Sequence, residues 1–150
     1  MIRAYLDTNI FLIYLEEDIS NSKLVINIAE EGLFIPVVSF HTFKEVFHNL
    51  KSRKSKDLAS WMQIFIWSIQ GLTVIQKKDI DQLSGKFVDL VDDQDDLPHI
   101  CSYFSGNCDY FVTTNRRLIQ MKIKTFVNFI SPKRFIEKFK LKSIDTKNEI

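Results

Sequence analysis

Residues 2–6 form an apolar, β-prone run that stops at Asp7 and passes through Thr8 and Asn9 into an apolar helical stretch, residues 10–15. The pattern is that of a buried strand that surfaces at a carboxylate and turns directly into a helix. This junction constrains the fold more than any other feature of the chain. In parallel α/β sheets, ligands collect at the carboxyl ends of the strands, so Asp7 stands where a functional group is expected. It can also cap the helix that follows, and the two roles are compatible.

The same strand–helix alternation runs through the rest of the sequence. A helix capped by Asn21 or Ser22 extends through Glu31 and stops at Gly32. Residues 33–38 read as a second strand, with Pro36 late in it or at a position whose N–H is not needed. Ser39 caps a helix whose apolar face is Phe40, Phe43, Val46, Phe47 and Leu50. Residues 57–69 are helical, with Leu58, Trp61, Met62, Phe65 and Ile69 aligned. Trp61 and Trp67 fit a core or a dimer surface better than a base-stacking platform. Residues 72–75 are a third strand, and a helix capped by Asp79 runs to about Val91. Asp96 opens a helix with Pro98 in its first turn. Residues 110–113 are a fourth strand, 115–121 a short helix, 125–127 a fifth strand and 132–139 a last helix. The strand–helix alternation without repeat or linker gives a single parallel α/β domain over residues 1–142. Residues 143–150 are polar and read as a flexible tail.

Composition narrows the class. The 150 residues suffice for one domain with a substantial core, and 45% of them are hydrophobic. No run reaches the roughly 18 apolar residues that a membrane helix needs, and the N-terminal stretch, broken at Asp7, does not read as a signal peptide. Cys101 and Cys108 are too few for a disulfide framework or a zinc cluster. These features give the expectation of a cytoplasmic protein with reduced thiols and no membrane partner. The net charge of +1 argues neither for nor against nucleic acid. Cations nevertheless gather at 51–56, at Arg116 and Arg117, and over 133–142, and acids gather over 89–96.

Three carboxylates stand at or near element ends: Asp7 after the first strand, Glu45 in the helix after the second, and Asp96 at the start of the helix before the fourth. Thr113, Thr114 and Asn115 end that fourth strand. With parallel, neighbouring strands these groups converge on one rim of the sheet. Clustered carboxylates repel one another, and a divalent cation relieves that repulsion. Oxygen ligands without cysteine or histidine suit a hard ion, Mg²⁺ or Mn²⁺. Such an ion supports phosphodiester hydrolysis by activating water and stabilising the leaving oxygen. His41, His48 and His99 show no metal-ligand spacing and read as surface or capping residues.

Four stretches, residues 5–12 (Tyr-Leu-Asp-Thr-Asn-Ile-Phe-Leu), 38–46 (Val-Ser-Phe-His-Thr-Phe-Lys-Glu-Val), 95–100 (Asp-Asp-Leu-Pro-His-Ile) and 107–118, resemble in order and spacing the signature segments of PIN-domain proteins. The set is far more specific than any one segment. The resemblance covers about residues 1–130. It implies a three-layer α/β/α domain with a central parallel sheet of four to five strands in the order 3-2-1-4-5. It also implies a Mg²⁺ or Mn²⁺ site, single-strand-specific endoribonuclease activity, and the role of the toxin in a type II toxin–antitoxin pair. Homodimerisation and inhibition by a cognate antitoxin are common in the family. Carried over position by position, the resemblance assigns catalysis and metal binding to Asp7, Glu45 and Asp96. It gives supporting roles to Asn9 and Thr113.

The sequence departs from the family at the fourth acidic position, where Asn115 stands and where Arg116, Arg117 and Leu118 follow. An amide oxygen can bind a metal but brings no charge, so the expectation is one firm metal site, with Asp93 or Asp95 able to compensate. Arg116 and Arg117 are candidates for RNA phosphate contact. The alternative reading is a catalytically weakened PIN-like module that binds nucleic acid or a partner. An aspartyl phosphatase wants a second acid two residues after Asp7, where Asn9 stands, and a receiver domain wants an acid pair and a lysine that are missing here.

Overall fold

The computed structural model describes residues 1–145. Five strands, β1 (Arg3–Leu6), β2 (Ile35–Ser39), β3 (Thr73–Ile75), β4 (Tyr110–Val112) and β5 (Phe129–Ile130), form one sheet in the order β3-β2-β1-β4-β5. Every pairing is parallel. Parallel neighbours need crossovers, and helices supply them. They are α1 (Thr8–Glu16), α2 (Asn21–Glu30), α3 (Phe40–Arg53), α4 (Lys56–Trp67), α5 (Lys77–Phe87), α6 (Leu97–Ser105), α7 (Arg116–Ile119) and α8 (Pro132–Lys138). Strand alternation divides the core in two. Ala4, Leu6, Val38 and Val112 face the cluster built with α1, α2, α3, α4 and α8. Tyr5, Val37 and Phe111 face the cluster built with α5, α6 and the segment 118–127. The three-layer arrangement and strand order agree with the sequence expectation.

The differences have local causes. Pro36 is the second residue of β2, not a late one. Ile35 N–H donates to Ile2 O, so the ring of Pro36 faces the β3 side, and pairing with β3 begins one residue later at Val37. The missing N–H therefore costs no ladder bond. The fifth strand is not at 125–127. Residues 122–125 form a 3₁₀ turn, and the strand follows at Phe129–Ile130. Asp79 lies in the first turn of α5 and Gln76 is the cap residue. Trp61 and Trp67 are exposed at 50% and 60%; with Ile64 they leave an apolar strip on α4, whose buried residues are Ala59, Met62 and Ile66. The start of the expected tail is tied down: the Asn21 side chain donates to Ile144 O and accepts from Ile144 N, and Lys133 pairs with Asp145. The remainder of that expectation, 146–150, lies outside the described residues.

Two features aim the elements at the rim. Gly106 follows α6 where a Cβ would lie 2.9 Å from Val37 and 3.1 Å from Ser102 O, so only glycine lets the chain turn this close to β2. Ser39 and Thr42 form a reciprocal capping box that fixes how α3 leaves the sheet. No described helix is long and apolar enough to cross a membrane.

Candidate functional site

A cleft of about 710 Å³ opens at the carboxyl rim of β1 and β4. Asp7, Asn9, Glu45, Asp95, Asp96 and Asn115 all line it, together with Thr8, His41, Lys44 and His99. The residues singled out in four separate stretches of sequence thus meet at one place. Asp93 and Thr113 do not line the cleft, and neither do Arg116 and Arg117.

Asp7 is buried, with 8% exposure, at the base. It follows β1, where its N–H donates to Val112 O, and its carboxylate caps α1 by accepting from Thr8 N–H at 2.9 Å. Its other oxygen accepts from the Thr113 hydroxyl at 2.7 Å. Thr113 is fully buried behind Asp7 and in turn accepts from Asn115 N–H. A strand end, a cap and a neighbouring strand therefore fix a single carboxylate orientation.

Glu45 projects from the second turn of α3 into the densest hydrogen-bond network of the rim. Its Oε1 accepts from the Thr8 hydroxyl at 2.6 Å and lies 2.6 Å from His99 Nε2. His41, one turn earlier, places Nε2 3.7 Å from Oε2. His99 is buried in α6, and its Nδ1 shares a 2.6 Å hydrogen bond with the Tyr5 hydroxyl, which also contacts Ser39 and Thr42. Burial opposes the charged imidazole of His99. The Tyr5 oxygen, the bonded Glu45 and the charge of Asp7 outweigh it and hold His99 well above its ordinary value. Burial likewise raises Glu45, but the hydrogen bond and charge of His99, the Thr8 hydroxyl and His41 bring it below the ordinary carboxylate value. His41 itself is lowered, by burial first and by the neighbouring His99 next.

Sequence reading missed this network. His99 is neither a surface nor a capping residue, and Thr8 and Tyr5 were passed over. The available signals were the i,i+4 spacing of His41 and Glu45 and the position of His99 one turn after Asp96. His41, Glu45 and His99 bring one ligand atom each to within 4.8 Å of one another, a grouping that could itself hold a metal.

Asp96 precedes α6 but makes no side-chain cap, so its carboxylate is free to face the cleft. Its Oδ2 is buried without a hydrogen bond and lies 2.8 Å from Arg117 Nη1. The contact is a close ion pair. Arg117, expected to be free for phosphate, is thus engaged with Asp96. Asn115 uses its side-chain oxygen to cap α7, accepting from Arg117 N–H at 3.0 Å. Asp93 is occupied in the same way, accepting from Asp95 N–H at 2.9 Å.

Asp7, Glu45 and Asp96 line one polar cleft, and their carboxylates are the donor type that a hard divalent cation takes, while the described trio whose ligand atoms come within 4.8 Å of one another is His41, Glu45 and His99.

Comparison with known proteins places this geometry. No curated protein matches the sequence. Among solved structures, the chain resembles VapBC2 from Rickettsia felis bound to a DNA fragment from its promoter. The TM-score is 0.64 at 14% identity, covering 87% of this chain and 98% of that one. It also resembles VapBC-1 from nontypeable Haemophilus influenzae, with a TM-score of 0.62 at 17% identity over 87% and 98%. A toxin–antitoxin complex from Klebsiella pneumoniae gives 0.58 at 18% identity over 86% and 97%. At these identities the likeness is one of fold. The sequence itself matches the PIN domain over residues 3–117, which is most of the chain and reaches to within one residue of the end of the fourth segment, and the protein therefore belongs to the PIN domain family.

Proposed function

We propose that the chain is a metal-dependent endoribonuclease acting on single-stranded RNA. The observation that carries this reading is that Asp7, Glu45 and Asp96, from three separate elements, line one open cleft. Asp7 and Asp96 would hold Mg²⁺ or Mn²⁺, with Glu45 completing the set. When bound, the cation supplies a more acidic water and charge stabilisation for the phosphodiester oxygens. The protein's own part is positioning. Thr113 and Thr8 N–H hold Asp7 still, and Thr8 and His99 hold Glu45. Pre-set oxygens avoid the reorganisation that a flexible acidic loop would require.

Asn115 contributes no charge and directs its oxygen into α7, and the nearby positive charge beside Asp96 belongs to Arg117. One cation per chain follows from this arrangement. The same two facts favour a second reading, a PIN-like module that binds RNA without turnover. Incubating labelled single-stranded RNA with Mn²⁺, Mg²⁺ or EDTA separates the two. Cleavage in Mn²⁺ that disappears in EDTA and in Asp7→Asn supports the nuclease. Binding without cleavage in any metal supports the module.

One of the solved structures named above is a toxin–antitoxin complex, and on that ground the chain is read as the toxin of such a pair. The exposed strip Trp61, Ile64 and Trp67 on α4 gives an antitoxin or a second copy an apolar surface. The reading expects growth arrest on expression in a bacterial host and none with Asp7→Asn.

A further inference from the structure

A second groove, of about 580 Å³, lies on the other side of α7 from the carboxylate cleft. α7 is a single-turn ridge between the two. Asn115 and Leu118, three residues apart, line the first, and Arg116, Ile119 and Gln120 line the second. Arg134 and Lys138 of α8 form the far wall, with Asn128 and Ser131 between. Arg116, Arg134 and Lys138 are exposed, and none has an ion-pair partner among the described residues. No carboxylate lines the groove.

This distribution answers a difficulty in the first cleft. That cleft carries Asp7, Glu45, Asp95 and Asp96 against Lys44 and the histidines His41, His48 and His99, so it stays acidic on balance, and the nearby Arg117 is already paired. Such a surface repels the flanking phosphates of a polyanion, so most of the binding energy must come from elsewhere. We propose that the second groove holds the backbone of the same polynucleotide strand. Phosphates beyond the one at the carboxylates cross α7 and settle on Arg116, Arg134 and Lys138. The inference rests on the nuclease reading for its occupant. An acidic peptide added along the sheet edge is disfavoured because β5 has only two residues and offers few ladder bonds.

The test is fluorescence anisotropy of a labelled 12-nucleotide single-stranded RNA in EDTA, titrated over salt, so that no turnover is needed. In Arg134→Ala/Lys138→Ala, binding weakens roughly tenfold at low salt, and the slope of log K against log salt becomes shallower by about 1.4, from about 0.7 per lost contact. The charge-preserving Arg134→Lys/Lys138→Arg keeps the wild-type slope, which guards against a folding defect. Lys78→Ala/Lys86→Ala removes the same charge from α5, which lines neither groove, and leaves the slope unchanged. A wild-type slope in the first variant overturns the proposal. So does an equal loss in the α5 variant, or loss of oligoglutamate binding with RNA binding intact. RNA cleavage by the wild type together with an unchanged slope sinks the groove alone. A changed slope with no cleavage in any metal sinks the nuclease alone.

Discussion

The two walls of the carboxylate cleft are built by different means. On the α3 wall, Glu45 is held by Thr8 and His99, and His99 is held by Tyr5 from beneath the sheet rim. Each of these groups sits on a helix or strand, and Tyr5, Thr8 and His99 are buried. On the opposite wall, Asp96 follows a loop of 3₁₀ turns and meets one guanidinium that is 45% exposed, and Asn115 spends its oxygen on a local turn. One wall is preorganised, and the other can rearrange at small cost. A metal site needs both qualities, because a fixed half sets geometry and an adjustable half admits and releases ligands.

Asp7 belongs to both walls, so its loss has the largest expected effect. Asp7→Asn keeps one acceptor oxygen for Thr8 N–H and reverses the other bond, the amide N–H donating to the Thr113 hydroxyl, but it removes the charge, and RNA cleavage with Mn²⁺ falls by about 100-fold or more. The circular dichroism spectrum stays that of the wild type. Retained cleavage would mean that the chemistry lies elsewhere.

On the preorganised wall, His99→Gln lowers cleavage roughly tenfold by releasing Glu45. It also changes the pH dependence of stability measured in EDTA. His99 is held above its ordinary value of 6.5, so its contribution is complete below that pH and is lost as pH rises through its folded-state value. Glu45 is held below its ordinary value of 4.5, so its contribution is present above that pH and is lost as pH falls through its folded-state value. The pair therefore stabilises most between about pH 4.5 and 6.5. Thermal midpoints should decline on the alkaline side in wild type and flatten in His99→Gln. An equal decline in both would show that His99 carries no linked proton.

The adjustable wall is where metal stoichiometry should respond. Wild type is expected to bind one Mn²⁺ per chain by equilibrium dialysis. Asn115→Asp/Arg117→Asp replaces an amide and a cation with carboxylates and should raise the number toward two. A second ion already present in wild type would show that Arg117 does not limit the site.

How much of this could be read beforehand depends on whether a residue acts through its neighbours in sequence or across the sheet. Asp7, Ser39, Asp96 and Asn115 announce themselves because a strand or helix visibly begins or ends there. Strand order came from the family resemblance, since periodicity finds strands but does not order them. The Tyr5–His99–Glu45–Thr8 chain stayed hidden because its members lie up to 94 positions apart and become neighbours only when β1, α3 and α6 pack together. The fifth strand was misplaced because 125–127 has a β-like composition, yet the backbone spends it closing a turn before pairing with β4. The pairing of Arg117 with Asp96 was equally invisible, since it arises where α7 and the loop before α6 meet.

The smallest effect belongs to Asp95, which tests how far the adjustable wall reaches. It lines the cleft and is exposed, and its backbone N–H is tied to Asp93 while its carboxylate has no described partner. Between exposed charges in water, the interaction at close range is worth about 1 kcal/mol and decays over about 10 Å at ordinary ionic strength. Asp95→Asn should therefore weaken Mn²⁺ binding about twofold at low salt and have almost no effect near 1 M salt, where the screening length is about 3 Å. Asp96→Asn should remain damaging at both, because its oxygen is buried beside the site. If Asp95→Asn matched it at high salt, Asp95 would be touching the ion, and the division between the two walls would have to be drawn one residue earlier in the loop.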